Sequence, residues 1–283
     1  MMEFFLDCVP CVLRQTLESA RMATADPASH KAVMDQAVCL LANETNFPSA
    51  PHATRALQQI VHAVTGDADP YRQVKTQHLA MAGRLLPEVR RLLLEKDDAL
   101  YWALKASAMG NALDAAVSPS AAIHSAQQEL EKPFAVCDLP ILRTKLETAK
   151  NLLLIGDNAG ETVLDGLLLE QCRHLRLTYA VRGAPILNDA TADDAVASGV
   201  SDYAEILPTG SSLPGVDLRE CSDAFLAQFY AADIVICKGQ GNFETLWGCD
   251  RDLFFLFKVK CPVIAAALGM ELNTYILRYQ PRP

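Results

Sequence analysis

The sequence predicts an α/β fold in which an all-helical N-terminal domain precedes a three-layer α/β/α domain with a mainly parallel sheet. Helical periodicity runs through residues 1–135, whereas short apolar runs alternate with helical segments in residues 136–283. Such alternation is typical of parallel strands that are joined by helices and buried on both faces. We therefore predict two domains that meet between residues 135 and 136.

The helices of the first half are predicted from apolar residues that recur three and four positions apart. Asp26 and Pro27 mark one helix start, because Asp is a favoured N-cap and Pro is favoured at the first helical position. The predicted helical runs are Val12–Ala20, Ala32–Leu41, Ala53–Val64, Tyr71–Leu94 with a candidate break at Pro87, and Ala99–Ala116.

In the second half, short apolar runs bounded by turn residues are predicted to be buried strands. They are Leu152–Ile155, Leu175–Val181, Tyr203–Leu207, Ile234–Cys237 and, at the end, Asn273–Tyr279. The helices predicted among them are Glu161–Cys172, Asp189–Ser198, Asp223–Tyr230 and Pro262–Leu268. The last is read as a helix because it begins with Pro and is followed by Gly.

The composition excludes several classes of protein. With 51% hydrophobic and 21% charged residues, the chain can bury a core. Its net charge of −9 disfavours nucleic-acid binding, which needs a basic surface. No apolar run approaches the roughly 20 residues of a membrane-spanning helix, and the N-terminus lacks the positive region of a secretory signal. Nine scattered cysteines are typical of a reducing compartment, so we expect a cytoplasmic protein without nucleic-acid or membrane partners.

The chemistry is expected at the carboxyl ends of the parallel strands, where open α/β sheets bind ligands. The first predicted strand runs into Gly156-Asp157-Asn158-Ala159-Gly160-Glu161. This segment offers carboxylate and amide oxygens, which Mg²⁺ and Mn²⁺ prefer as ligands. The N-terminus of the following helix would favour an anion at the same point. The alternative is an ordinary turn in which Asp157 caps that helix.

Two further strand ends carry cations and glycines. Arg182 follows the second strand, and its planar guanidinium suits phosphate. Asn188 and Asp189 come next and could add a metal-binding oxygen or cap a helix. A later strand leads into Lys238-Gly239-Gln240-Gly241-Asn242, which could cradle phosphate or form a plain glycine turn. Together these strand ends predict metal-assisted phosphoryl chemistry, because a cation polarises phosphoryl oxygens and basic residues balance the transferred charge.

Six segments, in this order and spacing, resemble the damage-control phosphatases, long known as domain-of-unknown-function family 89. They are Asp7-Cys8-x-x-Cys11, Gly110-Asn111-x-x-Asp114, Gly156-Asp157-Asn158-Ala159-Gly160-Glu161, Arg182-Gly183-x-Pro185-Ile186-x-Asn188-Asp189-x-Thr191, Lys238-Gly239-Gln240-Gly241-Asn242-Phe243-Glu244 and Lys258-x-Lys260-Cys261-Pro262-Val263. The resemblance covers nearly the whole chain, and the Cys8–Cys11 pair is similar to that of the microbial branch.

The resemblance implies a Rossmann-like sheet and a phosphatase that acts on sugar phosphates or damaged phosphorylated metabolites. It implies that Asp157, Asn158 and Asp189 hold one divalent metal, either Mn²⁺, Co²⁺, Ni²⁺ or Mg²⁺. Lys238 would complete this catalytic group and meet the substrate phosphate. The other substrate-binding residues that we expect are Asn111, Glu161, Arg182, Gly239, Gly241 and Asn242.

Two alternative functions remain open at this point. A carboxyl methyltransferase dependent on S-adenosylmethionine, an activity also proposed in the family, would usually carry an acidic residue where this chain has Arg182. A non-catalytic module would bind a phosphometabolite without releasing phosphate. The attacking group, water or Asp157, and the oligomeric state are also open. For Cys8 and Cys11 we expect reduced thiols, because a single CxxC pair is a poor zinc site.

Overall fold

The structure is a computed structural model that describes residues 1–43, 46–110 and 119–283. Its first half is helical, as predicted, with α1 (Cys8–Ala23), α2 (Pro27–Asn43), α3 (Ala50–Thr65), α4 (Arg72–Leu94), α5 (Ala99–Met109) and α6 (Pro119–Glu131). The α2 start is confirmed, since the Asp26 carboxylate accepts hydrogen bonds from the backbone N–H groups of Ala28 and Ser29. The candidate break at Pro87 is wrong, because α4 continues through it.

The second half alternates strands with helices. The strands are β1 (Phe134–Cys137), β2 (Asn151–Ile155), β3 (Arg176–Val181), β4 (Glu205–Pro208), β5 (Ile234–Lys238), β6 (Leu253–Lys258) and β7 (Tyr275–Gln280). The helices are α7 (Leu139–Leu146), α8 (Glu161–Gln171), α9 (Ala192–Ala197), α10 (Asp223–Ala231), α11 (Gly239–Leu246) and α12 (Pro262–Leu268), with a 3₁₀ turn at Val200–Asp202. Within the described ranges, no helix combines the length and the apolar character that crossing a membrane requires.

The strands form one sheet in the order β1-β7-β6-β5-β2-β3-β4. Every neighbouring pair is parallel except β6 and β7, so the predicted, mainly parallel α/β fold is confirmed. Sequence analysis missed β1 and β6. The run Leu253–Phe257 in β6 is apolar throughout because both of its faces are buried, and it therefore shows no alternation.

Alternate side chains of the central strands enter two separate hydrophobic cores. Leu152 and Leu154 pack in the core that α4, α5, α6 and α8 share, whereas Leu153 and Ile155 face the core of α10, α11 and α12. The helical first half therefore supplies part of the layer on one face of the sheet. The domain boundary at residues 135 and 136 stays a prediction.

The order of the strands determines where a ligand can enter. After β2 the chain adds β3 and β4 on one side, and after β5 it adds β6 on the other side. The neighbouring strands β2 and β5 thus form a switch point, beyond whose carboxyl ends open α/β sheets leave a crevice. The loop that begins at Gly156 and the N-terminus of α11 at Gly239 lie at this crevice.

Candidate active site

Backbone contacts bring the loops after β2 and β3 together. The N–H group of Ala190 donates to the carbonyl oxygen of Asp157 at 2.8 Å. Asn158 and Asp189 form an isolated antiparallel bridge beside this bond. The main chain thereby places the three predicted metal ligands, Asp157, Asn158 and Asp189, next to one another at the carboxyl edge of the sheet.

Neither Asp157 nor Asp189 caps a helix, so the capping alternatives are wrong. α8 has no side-chain cap at its N-terminus. α9 begins at Ala192, later than predicted, and Thr191 and Asp194 form its capping box. The predicted start at Asp189 fails because the bridge to the neighbouring loop holds this residue outside the helix.

Asp157, Asn158 and Asp189 line a cavity of about 300 Å³ between the crevice and the helical half of the chain. Other lining residues come from α1, α3, α5 and the segments after β5 and β6, and they include Gln15, Ala50, Pro51, Thr54, Ala108, Gly239, Gln240, Gly241, Glu244, Lys258 and Lys260. This volume is at the low end for small-molecule sites, so the cavity suits a compact ligand.

The carboxylates of Asp157 and Asp189 are held in an environment that disfavours their charge. Burial raises the pKa of Asp157 well above its ordinary range, and the charges of Asp189 and Glu161 raise it further. Burial also raises the pKa of Asp189. Neighbouring carboxylates of this kind are stabilised in their charged form when a cation binds them.

The side chain of Asn158 completes a set of oxygen ligands. Its amide nitrogen donates to Asp157 Oδ2 at 3.2 Å and to Glu161 Oε1 at 2.9 Å. Because the nitrogen is engaged, the amide oxygen is the atom that remains for a cation. Two carboxylates and one amide oxygen are hard ligands, and the residues therefore fit the divalent metal that the sequence predicts.

Arg182 lies behind the cavity and contacts the carboxylates of Asp157 and Asp189. Its Nε donates to Asp189 Oδ2 at 2.6 Å, and its Nη1 donates to Asn242 Oδ1 at 3.0 Å. Its Nη2 lies 3.6 Å from Asp157 Oδ1 and has no hydrogen bond to any residue that the structure describes. Arg182 is only 2% exposed, so the structure places it against carboxylates where the sequence predicts a phosphate.

Lys238 is fully buried and does not line the cavity. Its Nζ donates to Glu161 Oε2 at 2.9 Å and to Asp165 Oδ1 at 2.7 Å. Burial alone would lower the pKa of Lys238, but the two carboxylates outweigh it and raise the pKa. Asp165, which sequence analysis missed, also accepts hydrogen bonds from Ser107 and Tyr179. Lys238 thus contacts carboxylates rather than the open site.

The glycine-rich segment after β5 approaches the carboxylates closely. Gly239 has a φ of +76°, and a Cβ atom there would lie 2.0 Å from Asp157 Oδ2. Asn242 donates its amide hydrogens to the carbonyl oxygens of Gly156 and Lys238 at 3.0 and 2.6 Å. The segment therefore holds α11 against the β2 loop.

Several cavity residues have no role in the sequence prediction. Lys258 ends β6, and Lys260 follows two positions later, which places both at the same edge. The apolar run that precedes these lysines could have indicated their position, because it forms β6, but the sequence prediction does not include that strand. Glu244 is the last residue of the motif that begins at Lys238, and the sequence prediction gives it no role. The predicted site residue Asn111 lies outside the described residues.

His52, Asp217 and Glu220 form a second group that could hold a metal, with one candidate ligand atom each within 4.8 Å of the others. Both carboxylates already have cationic partners. Arg219 Nη2 lies 2.5 Å from Asp217, and Arg55 pairs with Glu220. Because these cations already neutralise the carboxylates, we interpret the group as an ion-pair network that connects α3 to the loop before α10 rather than as a metal site.

Comparison with known proteins gives one consistent picture. The damage-control phosphatase ARMT1-like domain matches residues 4–276 of this chain. A damage-control phosphatase of Pyrococcus horikoshii is 32% identical over 277 residues, covering 95% of this chain and 96% of the relative. A damage-control phosphatase of Archaeoglobus fulgidus is 28% identical over 279 residues, covering 96% of this chain and 97% of the relative. A crystal structure of a family-89 protein from Pyrococcus horikoshii has a TM-score of 0.91 and 29% identity, covering 98% of this chain and 99% of that one.

Proposed function

This chain belongs to the family of ARMT1-like damage-control phosphatases, and we propose that it hydrolyses phosphate esters of small metabolites with the help of one divalent metal. The observation that carries this proposal is that Asp157, Asn158 and Asp189 line one cavity. Two lysines, Lys258 and Lys260, line the same cavity. Oxygen ligands beside cationic side chains are what a bound phosphate and its metal require.

Asp157, Asn158 and Asp189 would hold the metal, which when bound neutralises charge on the phosphoryl oxygens and acidifies water. The remaining chemistry belongs to this chain's own side chains. Lys260 lines the cavity and partly offsets the effect of burial on the pKa of Asp157, so its charge acts at the site. We assign the contact with the phosphate to Lys260.

Two buried cations position the metal ligands in this proposal. Arg182 fixes the Asp189 carboxylate by its 2.6 Å hydrogen bond. Lys238 fixes Glu161, whose other oxygen accepts the hydrogen bond that orients the Asn158 amide. Both cations lie behind the ligands, which explains why their burial is compatible with a role at the site.

The substrates that we propose are sugar phosphates or damaged metabolites of similar size. A cavity of about 300 Å³ with a largely polar lining supports a compact and charged ligand. The ligand set supports Mg²⁺ or Mn²⁺ most directly, with Co²⁺ and Ni²⁺ as further candidates. All nine cysteines are free thiols, which supports a reducing compartment such as the cytoplasm.

The test is phosphate release from a panel of sugar phosphates and one aryl phosphate, first in EDTA and then with each metal restored. We expect metal-dependent release from the wild type. Asp157→Asn and Asp189→Asn should each lower the rate by more than about 100-fold, since even residues that only support metal ligands cost up to that much. The control is Asp97→Asn, an exposed carboxylate in the turn before α5.

Release that is insensitive to EDTA would remove the metal from the proposal. Near wild-type rates in Asp157→Asn at saturating metal would remove the ligand set. A folded wild-type protein that binds a sugar phosphate but releases no phosphate with any metal would refute the phosphatase and favour a binding module.

A further inference from the structure

We propose that Glu244 is the general acid of this site, whose carboxyl group protonates the ester oxygen as the phosphate bond breaks. The inference rests on the proposed phosphatase function and adds a catalytic residue to it. Sugar and other alkyl phosphates need such an acid, because an alkoxide leaves poorly without a proton.

Glu244 lies in the same cavity as Asp157 and Asp189. It is on α11, five residues after Gly239, whose backbone lies against Asp157. At about 1.5 Å per residue, Glu244 is displaced by about 7.5 Å along the helix from that contact. Both carboxyl groups line one cavity, so a phosphate ester that occupies it can contact Asp157 with its phosphoryl group and Glu244 with its ester oxygen.

Gln240, one turn earlier on α11, holds the Glu244 side chain in place. Its amide nitrogen donates to Glu244 Oε1 at 2.9 Å, and its amide oxygen accepts the backbone N–H of Lys260 at 3.4 Å. The second contact fixes which end of the amide faces Glu244. Because Oε1 accepts this hydrogen bond, Oε2 is the oxygen that carries the proton when the group is neutral.

The environment of Glu244 favours its protonated form. Burial raises the pKa of Glu244 to about 7, and the hydrogen bond from Gln240 opposes this only in part. A carboxyl group with such a pKa is an efficient proton donor near neutral pH.

The titratable groups around Glu244 come from two other elements. Cys8 at the start of α1 has a thiol pKa that is raised first by burial and further by the Glu244 charge. Lys258 at the end of β6 and Lys260 just after it line the same cavity. The α3 residues at the cavity, Ala50, Pro51 and Thr54, carry no titratable group.

Water adds to phosphorus, the bond between phosphorus and the ester oxygen breaks, and that oxygen takes the Glu244 proton and leaves as an alcohol. One proton of the water stays on the phosphate, and the other returns through solvent to the Glu244 carboxylate. The net products are the alcohol and inorganic phosphate.

The test compares two leaving groups in Glu244→Gln. With a sugar phosphate, we expect kcat to fall by at least about 100-fold, the usual contribution of a general acid. With 4-nitrophenyl phosphate, whose leaving group departs without a proton, kcat should change by less than about threefold. Retained turnover of the aryl ester also shows that the variant is folded. The control is Glu147→Gln, an exposed carboxylate at the end of α7.

The pH profile supplies a second measurement. The acid must be protonated to act, so wild-type kcat for the sugar phosphate should fall as pH rises through about 7. Glu244→Gln should lack this decline. Gln240→Leu removes the hydrogen bond that lowers the pKa of Glu244, so the decline should move to higher pH.

Equal losses with both esters, or no loss with either, would overturn the assignment of Glu244 while leaving the phosphatase function intact. A wild-type protein that releases no phosphate from either ester with any metal would instead overturn the proposed function, and this inference with it.

Discussion

Lys238 is the residue for which sequence and structure lead to opposite experimental expectations. As a phosphate ligand at the cavity, it would contribute to binding and little to folding. In the structure it is fully buried and pairs with Glu161 and Asp165, which are themselves almost fully enclosed. Lys238→Met keeps most of the side-chain volume and removes the charge, so it separates the two interpretations.

The expected loss of stability follows from the burial of both partners. Asp165 is inaccessible to solvent and Glu161 is 3% exposed, so removing the ammonium leaves buried carboxylate charge without its partner. Removing one partner of a buried ion pair typically costs about 3–5 kcal/mol of unfolding free energy, because a charge remains buried without compensation. We expect Lys238→Met to lie in that range.

The measurement is urea-induced unfolding, followed by far-UV circular dichroism. The matched control is Lys31→Met, since Lys31 pairs with Asp35 on α2 while both side chains are largely exposed. Such a pair contributes about 0.3–0.5 kcal/mol. The buried ion pair would be refuted if Lys238→Met lost less than about 1 kcal/mol of unfolding free energy and free phosphate inhibited the variant more weakly. That result would support direct contact between Lys238 and the phosphate.

The loss should also depend on pH in a defined direction. Burial raises the pKa of Asp165, and Lys238 is the main opposing influence, so the substitution raises this pKa further. A folded carboxyl group with a raised pKa binds its proton more tightly than the unfolded chain does. Stability therefore increases as pH falls through the folded pKa, and the stability deficit of the variant should narrow as the pH is lowered.

Two further predictions concern other positions. Gly239→Ala should abolish metal-dependent activity, because the new methyl group would lie 2.0 Å from Asp157 Oδ2. The control is Gly66→Ala, where φ is a similar +74° but no described atom lies within 4 Å of the added Cβ. This control variant should be less stable but should keep its activity. Equal activities of the two variants would contradict the close approach. Lys105 is fully buried, and its Nζ has no hydrogen bond within the described part of the chain. Burial lowers the pKa of Lys105 to about 7. The folded state thus binds fewer protons than the unfolded chain, so wild-type stability should rise between about pH 7 and 10, and Lys105→Met should show a smaller rise in urea unfolding.

Much of the fold could be predicted because each element carries its own local signal. Helix α2 begins at the Asp26–Pro27 pair, and β2, β3 and β5 are short apolar runs with Asp157, Arg182 and Lys238 at or just beyond their carboxyl ends. The signal fails where tertiary contacts override local preference. The sequence predicts that Asp189 begins a helix, yet a bridge to the β2 loop holds it outside α9.

The candidate site was predicted in part for the same reason. Residues directly after a strand lie at the carboxyl edge of a parallel sheet, so Asp157, Asn158 and Asp189 could be assigned to one place from their positions in the sequence. Lys238 occupies an equivalent position, but its side chain turns into the core. Position along a strand determines the edge on which a residue lies, whereas side-chain direction depends on the partners that pack there.

The sequence by itself determined the fold class and the edge of the sheet at which Asp157, Asn158 and Asp189 lie, because periodicity and strand-end chemistry are properties of neighbouring residues. Only the tertiary structure decided which cations face the cavity. Lys260 lines it, while Lys238 and Arg182 neutralise buried carboxylates behind it. A buried charge requires a partner of opposite sign, and that partner comes from a distant segment whose approach depends on the packing of α8, α11 and the sheet.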